Sequence, residues 1–251
     1  MKEPDVLGSF AKGLKVIEAF GEECPRLSIA DVSRRTGLDR ATARRCLLTL
    51  AEFGYADYDG KFFSLTPRIL RLGHAYLSAT PLPNIVQPFL DGLSQTLGQS
   101  VSASLLDGTD IVYIARASQR RVMSISLMAG SRLPAYCSSM GRVLLAALPE
   151  QEAGERLRQC DLRPLTRFTK FERELLVEEL RTVREQGFAV IDQELEIGLC
   201  SIAVPLTNNR DVTVAALNIG APAAQISADE LRQRFLKPLR DVAASIRPML
   251  P

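Results

Sequence analysis

The chain has 251 residues, of which 46% are hydrophobic and 24% charged, the makeup of a folded globular protein with length for two domains. A net charge of +2 excludes a bulk attraction to nucleic acid or membranes. No apolar run approaches the roughly 18 residues of a membrane span, and the opening "MKEPDVLGSF" lacks the apolar core of a signal peptide, so a cytoplasmic protein is expected.

The first 80 residues read as short helices and a hairpin. In "SFAKGLKVIEAFG", Ser9 stands as an N-cap, apolar residues follow at 10, 14, 17 and 20, and Gly21 is the stop. "SIADVSRRTG" opens with Ser28 and Asp31 three residues on, a capping-box pattern, and ends at Gly37. "DRATARRCLLTLAEFG" runs from Asp39 to Gly54. Only "TGLD" separates these last two helices, which is the spacing of a helix-turn-helix. Ala43, Cys46, Leu47, Leu50 and Phe53 form the inner face of its second helix, while Arg44 and Arg45 project away. "YADY" and "KFFSL" flank an Asp-Gly turn and predict a hairpin, the wing of a winged helix-turn-helix.

Charge is concentrated in this part. Residues 26–45 hold Arg26, Arg34, Arg35, Arg40, Arg44 and Arg45 against Asp31 and Asp39, whereas residues 81–251 are balanced. Such a local excess is the footprint of a nucleic-acid surface. An arginine can hold guanine O6 and N7 bidentately or grip a phosphate. The candidate DNA-binding set is Ser28, Arg34, Arg35, Arg40, Ala41, Thr42, Arg44, Arg45 and the wing residue Lys61. Which arginine reads a base is open at this point.

"TPRILRLGHAYLSATPLP" predicts a linker helix entered at Pro67 and ended by Pro81 and Pro83, with Ile69, Leu72 and Tyr76 on one face. That face suggests at least a dimer on a pseudo-palindromic operator. His74, the lone histidine, lies here, away from any nucleophile of the second domain.

Beyond residue 80 the pattern alternates. "NIVQPFLDGLSQTLG" is helical, "SVSASLLDGTDIVYIARAS" is two strands, and "VMSISLMAGSRLP" is a strand and a loop. "SSMGRVLLAALPEQEAGERLRQC" is two helices parted at Pro149, and Thr169 with Glu172 resembles a cap for a helix ending at Gly187. "GFAVID", "SIAVPLTN" and "VTVAALNIGA" are strands, and a last helix from Ser227 should kink at Pro238. The fold class is α+β. A winged helix-turn-helix spans 1–66, a linker helix 67–80, and a sensor domain, with helices flanking an antiparallel sheet, 81–251.

Two stretches of the second domain carry chemistry. In "AYCSSMGR" a helix begins among small polar residues, and the unpaired N–H groups of a helix start suit a carboxylate. Tyr136, Ser138, Ser139, Met140, Gly141 and Arg142 are the candidates, although Ser138 can equally be a simple cap. In "VIDQELEIGLCSIAVPL", Asp192, Glu194 and Glu196 alternate; with no histidine near they are not a metal site, but one turned inward can bond a ligand hydroxyl. Cysteines 24, 46, 137, 160 and 200 form no C-x-x-C pair and are odd in number, so free thiols are expected and no zinc site. No metal and no cofactor are expected. An alternative of another class is a thiol-dependent enzyme using Cys137 or Cys200.

Over nearly its whole length the chain resembles the IclR family of transcriptional regulators. The resemblance rests on "GLDRATARRCLLTLAEFGYA", the linker helix, "LPAYCSSMGRVLLAAL" and "VIDQELEIGLCSIAVPL" followed by "VTVAALNIGAP". The segment "RRVMSISLMAGSRLPAYCSSMGRVLLAALPE" is most similar to the branch governing protocatechuate and 4-hydroxybenzoate genes of the β-ketoadipate pathway. The resemblance implies a GAF-like effector domain, a dimer or dimer of dimers, double-stranded DNA as partner, and a small carboxylate effector at the helix start on Ser139 and Met140. It leaves room for a contact with RNA polymerase. Side chains matching Asp192, Ser201 and Asn218 would complete the pocket. An aromatic acid is expected to seat its acid group at that helix start, its ring near Tyr136 and any hydroxyl near Asp192. A small aliphatic carboxylate is the other effector class.

Overall fold

Capping and apolar spacing account for the first part of the chain. The computed structural model describes residues 6–21, 24–118 and 127–250 and divides into two compact units, Met1–Ala79 and Thr80–Pro251. In the first, helices α1 (Gly8–Glu18), α2 (Ile29–Thr36) and α3 (Arg40–Glu52) close on a core of Val16, Val32, Ala43, Leu47, Leu50 and Phe63. Ser28 and Asp31 form the reciprocal capping box of α2, and Gly37 ends that helix at φ 72°. Asp39 caps α3 through the Thr42 N–H, at 2.9 Å.

Two local expectations change. Helix α1 starts behind Leu7, not Ser9, without a side-chain cap. It stops before Gly21, whose backbone pairs with Cys24 instead. The wing, β2 (Ala56–Tyr58) and β3 (Phe63–Leu65), gains a third strand, β1 (Arg26–Leu27), on its other edge. Asp59 shapes the tip by accepting the Lys61 and Phe62 N–H groups, and Gly60 supplies the left-handed φ of 98°. A short 3₁₀ turn (Pro67–Ile69) then leads into α4 (Leu70–Ala79).

The second unit is an antiparallel sheet between helical layers. Its strands are β4 (Ser100–Asp107), β5 (Asp110–Ala117), β6 (Arg132–Pro134), β7 (Ala189–Asp192), β8 (Leu199–Thr207) and β9 (Thr213–Pro222), in the order β6-β5-β4-β9-β8-β7. One face buries Val101, Ala103, Ile202, Val204, Leu217 and Ile219 against α5 (Leu82–Leu97) and α9 (Ala228–Ile246). On the other face Ala203 and Ala216 lie under α6 (Ser139–Ala147), backed by α7 (Glu150–Gln159) and α8 (Arg173–Gln186). Successive side chains of a strand point to opposite faces, so each strand divides its residues between these two layers.

Thr169 does not cap α8. Its hydroxyl donates to the Glu194 carbonyl at 2.6 Å, and Glu172 occupies the N-cap position without a side-chain capping bond. Helix α9 continues through Pro238. The strand expected in "VMSISLMAGSRLP" falls at 122–126 outside the described residues, and β6 takes up only its end.

Helix α6 lies so close to the preceding loop that a Cβ at Gly141 would overlap the Ala135 carbonyl group. Gly92, within α5, has open space around its Cβ position. Gly141→Ala should therefore destabilise the second unit by about 1–3 kcal/mol, the usual cost of overpacking. Gly92→Ala should stabilise it by about 0.5–1 kcal/mol through helix propensity. Urea unfolding of the two variants checks both signs; a neutral Gly141→Ala would mean that the α6 contact is loose.

Candidate functional site

Two places concentrate chemistry, one in each unit. On α3, Arg40, Ala41, Arg44 and Arg45 are exposed, whereas Thr42 and Ala43 are buried. Thr42 was expected to face DNA, but it is turned inward: its N–H is held by Asp39, and its hydroxyl accepts from Arg45 Nη2 at 3.4 Å. Ser28 is likewise committed to its capping box.

The local positive charge is partly neutralised within the fold. Arg34 pairs with Asp31 at 2.6 Å, Arg26 with Asp59, and Arg35 Nη1 lies 3.2 Å from Cys24 Sγ. Among the described residues Arg40 and Arg44 make no ion pair or side-chain hydrogen bond. They stand four residues apart, hence on one helix face. Lys61 is exposed at the wing tip, its ammonium over the Phe62 ring at 5.1 Å. Bonds from the Ser28 side chain and backbone lower the pKa of Asp31, and bonds from the Thr42 side chain and backbone lower that of Asp39. Depressed carboxyls stabilise the caps above the ordinary carboxylate range, and that contribution is lost as pH falls through it.

In the second unit a cavity opens between the sheet and the start of α6. Ser138, Ser139 and Met140 line it from the helix, and Ser201 and Asn218 from the sheet, as do Tyr113, Arg116, Ile191 and Leu195. Its free volume is about 30 Å³, room for about one or two water molecules. Ser138 Oγ accepts the Gly141 N–H at 3.2 Å and caps α6. Ser139 and Met140, the first two helical residues, have no intrahelical acceptor for their N–H groups. Ser201 Oγ donates to Ser139 Oγ at 2.9 Å, and Ser104 Oγ donates to Met140 Sδ at 3.1 Å.

Strand register builds the floor. Arg116 on β5 pairs with Ser102 on β4, Ser102 pairs with Asn218 on β9, and Asn218 pairs with Ala203 on β8. These residues therefore form one row on the α6 side of the sheet. Ser100, Ser102 and Ser104 present a buried polar stripe on the same face. Arg116 Nη1 donates to Ser102 Oγ at 2.8 Å, and no carboxylate among the described residues pairs with it. Burial lowers the pKa of Arg116, and Tyr113 acts in the opposite sense. Burial also pushes the Tyr113 hydroxyl up to about 12, so it stays a neutral donor. Asn218 is 8% exposed, and its Oδ1 is a buried acceptor without a hydrogen bond.

Four expected residues lie elsewhere. Tyr136 is packed in the α6 core with its hydroxyl on the Arg163 carbonyl at 2.7 Å; Tyr113 is the aromatic wall instead. Arg142 is 1% exposed and bound to Glu194, Glu179 and the Tyr136 carbonyl, so its charge is already balanced. Gly141 gives its N–H to Ser138. Asp192 alternates with Ile191, which faces the cavity, and so Asp192 emerges on the other side of the sheet, where it accepts from Cys200 Sγ at 2.9 Å.

The sequence reading missed Tyr113, Arg116 and Ser102. The signal that could have found them is "SVSAS": alternation in which the polar residues belong to a strand at the centre of a sheet. Three of the thiols are disfavoured as thiolates by burial. Burial is the largest cause in raising Cys137 and Cys200 to about 12 and Cys160 to about 11. No described helix is long and apolar enough to cross a membrane. No group of three or more His, Cys, Asp or Glu side chains among the described residues could hold a metal.

Comparison with known proteins fits these two sites. The IclR helix-turn-helix domain matches residues 9–60, and the bacterial transcriptional regulator IclR C-terminal domain matches 74–247. The Pca regulon regulatory protein of Pseudomonas putida is 48% identical over 235 residues, 93% of this chain and 81% of its own length. A solved structure of RHA06195 from Rhodococcus sp. RHA1, described as a transcriptional regulator, is 46% identical with a TM-score of 0.80, covering 96% of this chain and 97% of its own. A double mutant of the PobR transcription factor inducer-binding domain from Acinetobacter, solved in complex with 3-hydroxybenzoic acid, is 30% identical with a TM-score of 0.64. The match covers 67% of this chain and 98% of that one.

Because the thiolate is the reactive form, iodoacetamide at pH 8 should modify Cys137 and Cys200 at least about 100-fold more slowly in the native protein than in urea. Mass spectrometry of labelled peptides reads this directly. Rapid, selective labelling of either native thiol would reopen the enzyme reading.

Proposed function

The chain belongs to the IclR family of bacterial transcriptional regulators, and from that membership we propose that it controls aromatic-acid catabolism genes in response to a hydroxylated aromatic carboxylate. It is a DNA-binding regulator, not an enzyme. The observation that carries the ligand class is the row Arg116, Ser102 and Asn218: a half-buried guanidinium without a carboxylate beside a buried amide oxygen without a donor. A desolvated, unpaired cation is costly, and a bound carboxylate relieves it through charge-assisted hydrogen bonds. The amide acceptor asks for a donor, which a ring hydroxyl supplies and a bare benzoate does not. Tyr113 offers a face to the ring. In this reading the carboxylate sits on Arg116, and the hydroxyl lies toward Asn218 and the start of α6. The helix start alone would offer the acid only partial charge.

The Acinetobacter inducer-binding domain, solved with 3-hydroxybenzoic acid, supports this class. So does the name of the Pseudomonas relative. The effector acts on the operator only through differential affinity for two states of the protein.

The operator side takes the form of a dimer working on cytoplasmic DNA. Leu70, Leu72 and Tyr76 are exposed on α4, and Leu7, Phe10, Leu14 and Phe53 line an open apolar groove with Leu72 in the first unit. At 70% exposure for Leu70 and 64% for Phe10, a second copy is the occupant that would remove this surface from water. Paired reading heads fit pseudo-palindromic half-sites. Arg40 and Arg44, without ion pairs or side-chain hydrogen bonds among the described residues, are the major-groove readers; Arg45 and Lys61 grip phosphates.

Two experiments test this reading. In the first, Arg44→Ala should cost about 1–3 kcal/mol and relax specificity at one base pair of each half-site, whereas Lys61→Ala should weaken all sequences evenly and flatten the salt dependence. Footprinting should show two half-sites. Unchanged affinity in Arg40→Ala and Arg44→Ala together would remove α3 from the groove. In the second, calorimetry compares 4-hydroxybenzoate, protocatechuate, benzoate and adipate. The hydroxylated aromatics should bind most tightly, and Arg116→Met should cost each acid about 1.5–3 kcal/mol. Asn218→Ala should weaken the hydroxylated acids more than benzoate. If adipate alone binds, the effector is an aliphatic acid.

A further inference from the structure

Arg142 is the largest fully buried side chain among the described residues, yet it is not a cavity wall. It rises from α6 one turn after Ser139, which lines the cavity. Its Nε donates to the Tyr136 carbonyl at 3.0 Å, fixing the loop that leads into the helix. Its two terminal nitrogens hold Glu194 as a fork, Nη1 to Oε1 at 3.0 Å and Nη2 to Oε2 at 2.6 Å. Glu194 belongs to residues 193–198, the loop joining β7 to β8, and is only 4% exposed. The next residue, Leu195, is a wall of the cavity. One ion pair thus ties the helical wall to the loop wall.

The loop is also held from the segment before α8, where Thr166 Oγ1 donates to the Gln193 carbonyl at 2.7 Å and Thr169 Oγ1 to the Glu194 carbonyl at 2.6 Å, and it is anchored at its edges. Gln193 takes a positive φ of 58°, its N–H donates to the Leu199 carbonyl, and its side-chain oxygen accepts the Gly198 N–H. Glu194 Oε2 also accepts the Lys170 N–H at 2.9 Å, and Lys170 Nζ reaches Glu179 at 2.6 Å, closing a ring of two cations and two carboxylates. A buried ion pair is rarely there for stability alone, since well-packed apolar residues of similar volume often serve as well or better. What the fork supplies is fixed geometry. The sheet floor is continuous, and the free volume beside Leu195 is too small for an aromatic ring, so some part of the wall must yield as a ligand enters.

We propose that the Arg142–Glu194 pair is the latch of the effector cavity. It holds the 193–198 loop, and with it Leu195, closed over the ligand against the first turn of α6. Arg142 and Glu194 are positioning residues that set how long an effector stays. Their bearing on effector affinity rests on the function proposed above, while the closure of the loop does not.

The test uses the full-length protein and two variants. Glu194→Gln removes one charge in the same volume. Arg142→Met with Glu194→Met replaces the pair by apolar packing, which restores stability without the fork. Hydrogen exchange is read at Lys170, Gln193, Gly198 and Leu199, the amides of the loop and its anchor. In both variants these amides should exchange at least about tenfold faster than in the parent, with α8 and the central strands unchanged. Where 4-hydroxybenzoate or protocatechuate binds the parent, its dissociation rate should rise at least about tenfold in both variants, with operator affinity unaltered. Glu179→Gln, which leaves the fork in place, should change ligand dissociation by less than about twofold. Unchanged loop exchange in both variants overturns the latch, and so does parent-like ligand dissociation in the double variant. If neither acid binds the parent, the effector assignment fails and the exchange measurement alone decides the latch.

Discussion

A positive charge placed on a half-buried sheet face without a carboxylate partner is the constraint around which the second unit is organised. Arg116 sits in the row with Ser102 and Asn218, and its neighbours on the α6 side are serines where a sheet of this kind would ordinarily pack aliphatic residues. Such a face is unfavourable against a plain hydrophobic layer, because each polar group brought out of water needs a partner. The fold meets that need unevenly. Ser102 accepts a hydrogen bond from the guanidinium, Ser104 donates to Met140, and Ser201 donates to Ser139. The Asn218 oxygen and the net charge of Arg116 remain, and these two are what a ligand would complete.

The surrounding architecture keeps that face from collapsing. The opposite face is conventional, with Val101, Ile202, Leu217 and Ile219 against α5 and α9, so cohesion comes from there. Helix α6 is held at both ends by α8. Glu179 reaches Arg142 near its start, and Arg184 donates to the Ala146 and Leu148 carbonyls at its end. Gly141 lets the helix press on the Ala135 backbone, which brings its first turn within reach of the sheet. The same helix therefore serves as a packed element on one side and a binding wall on the other. The ion-paired Arg142 separates the two roles by spending its charge inside the protein.

Much of this was legible in the chain, and what was not has a physical reason. Ser28 with Asp31, and Asp39 with Thr42, are local capping signals, so the helix-turn-helix could be placed from spacing alone. The start of α6 was legible for the same reason, and Ser138, Ser139, Met140, Ser201 and Asn218 all reach the cavity. Errors arose where a side chain's direction depends on parity or on distant partners. Asp192 is adjacent to the cavity in sequence but belongs to the alternate face of β7. Tyr136 and Arg142 lie within "AYCSSMGR", yet Arg163 and Glu194, far along the chain, draw them away. Arg116 escaped notice because a lone arginine in "IVYIARAS" looks like a solvent-facing strand residue. Only the order β5-β4-β9 places it in one row with Asn218, across Ser102.

The measurement that goes most directly to the unpaired charge is a crystal structure of the protein grown with 4-hydroxybenzoate. The carboxylate should lie within hydrogen-bonding distance of the Arg116 guanidinium and the Ser102 hydroxyl. The phenol should donate to Asn218 Oδ1, and Tyr113 should lie against the ring. A carboxylate seated on the Ser139 and Met140 amides, with Arg116 turned to solvent, would contradict the account.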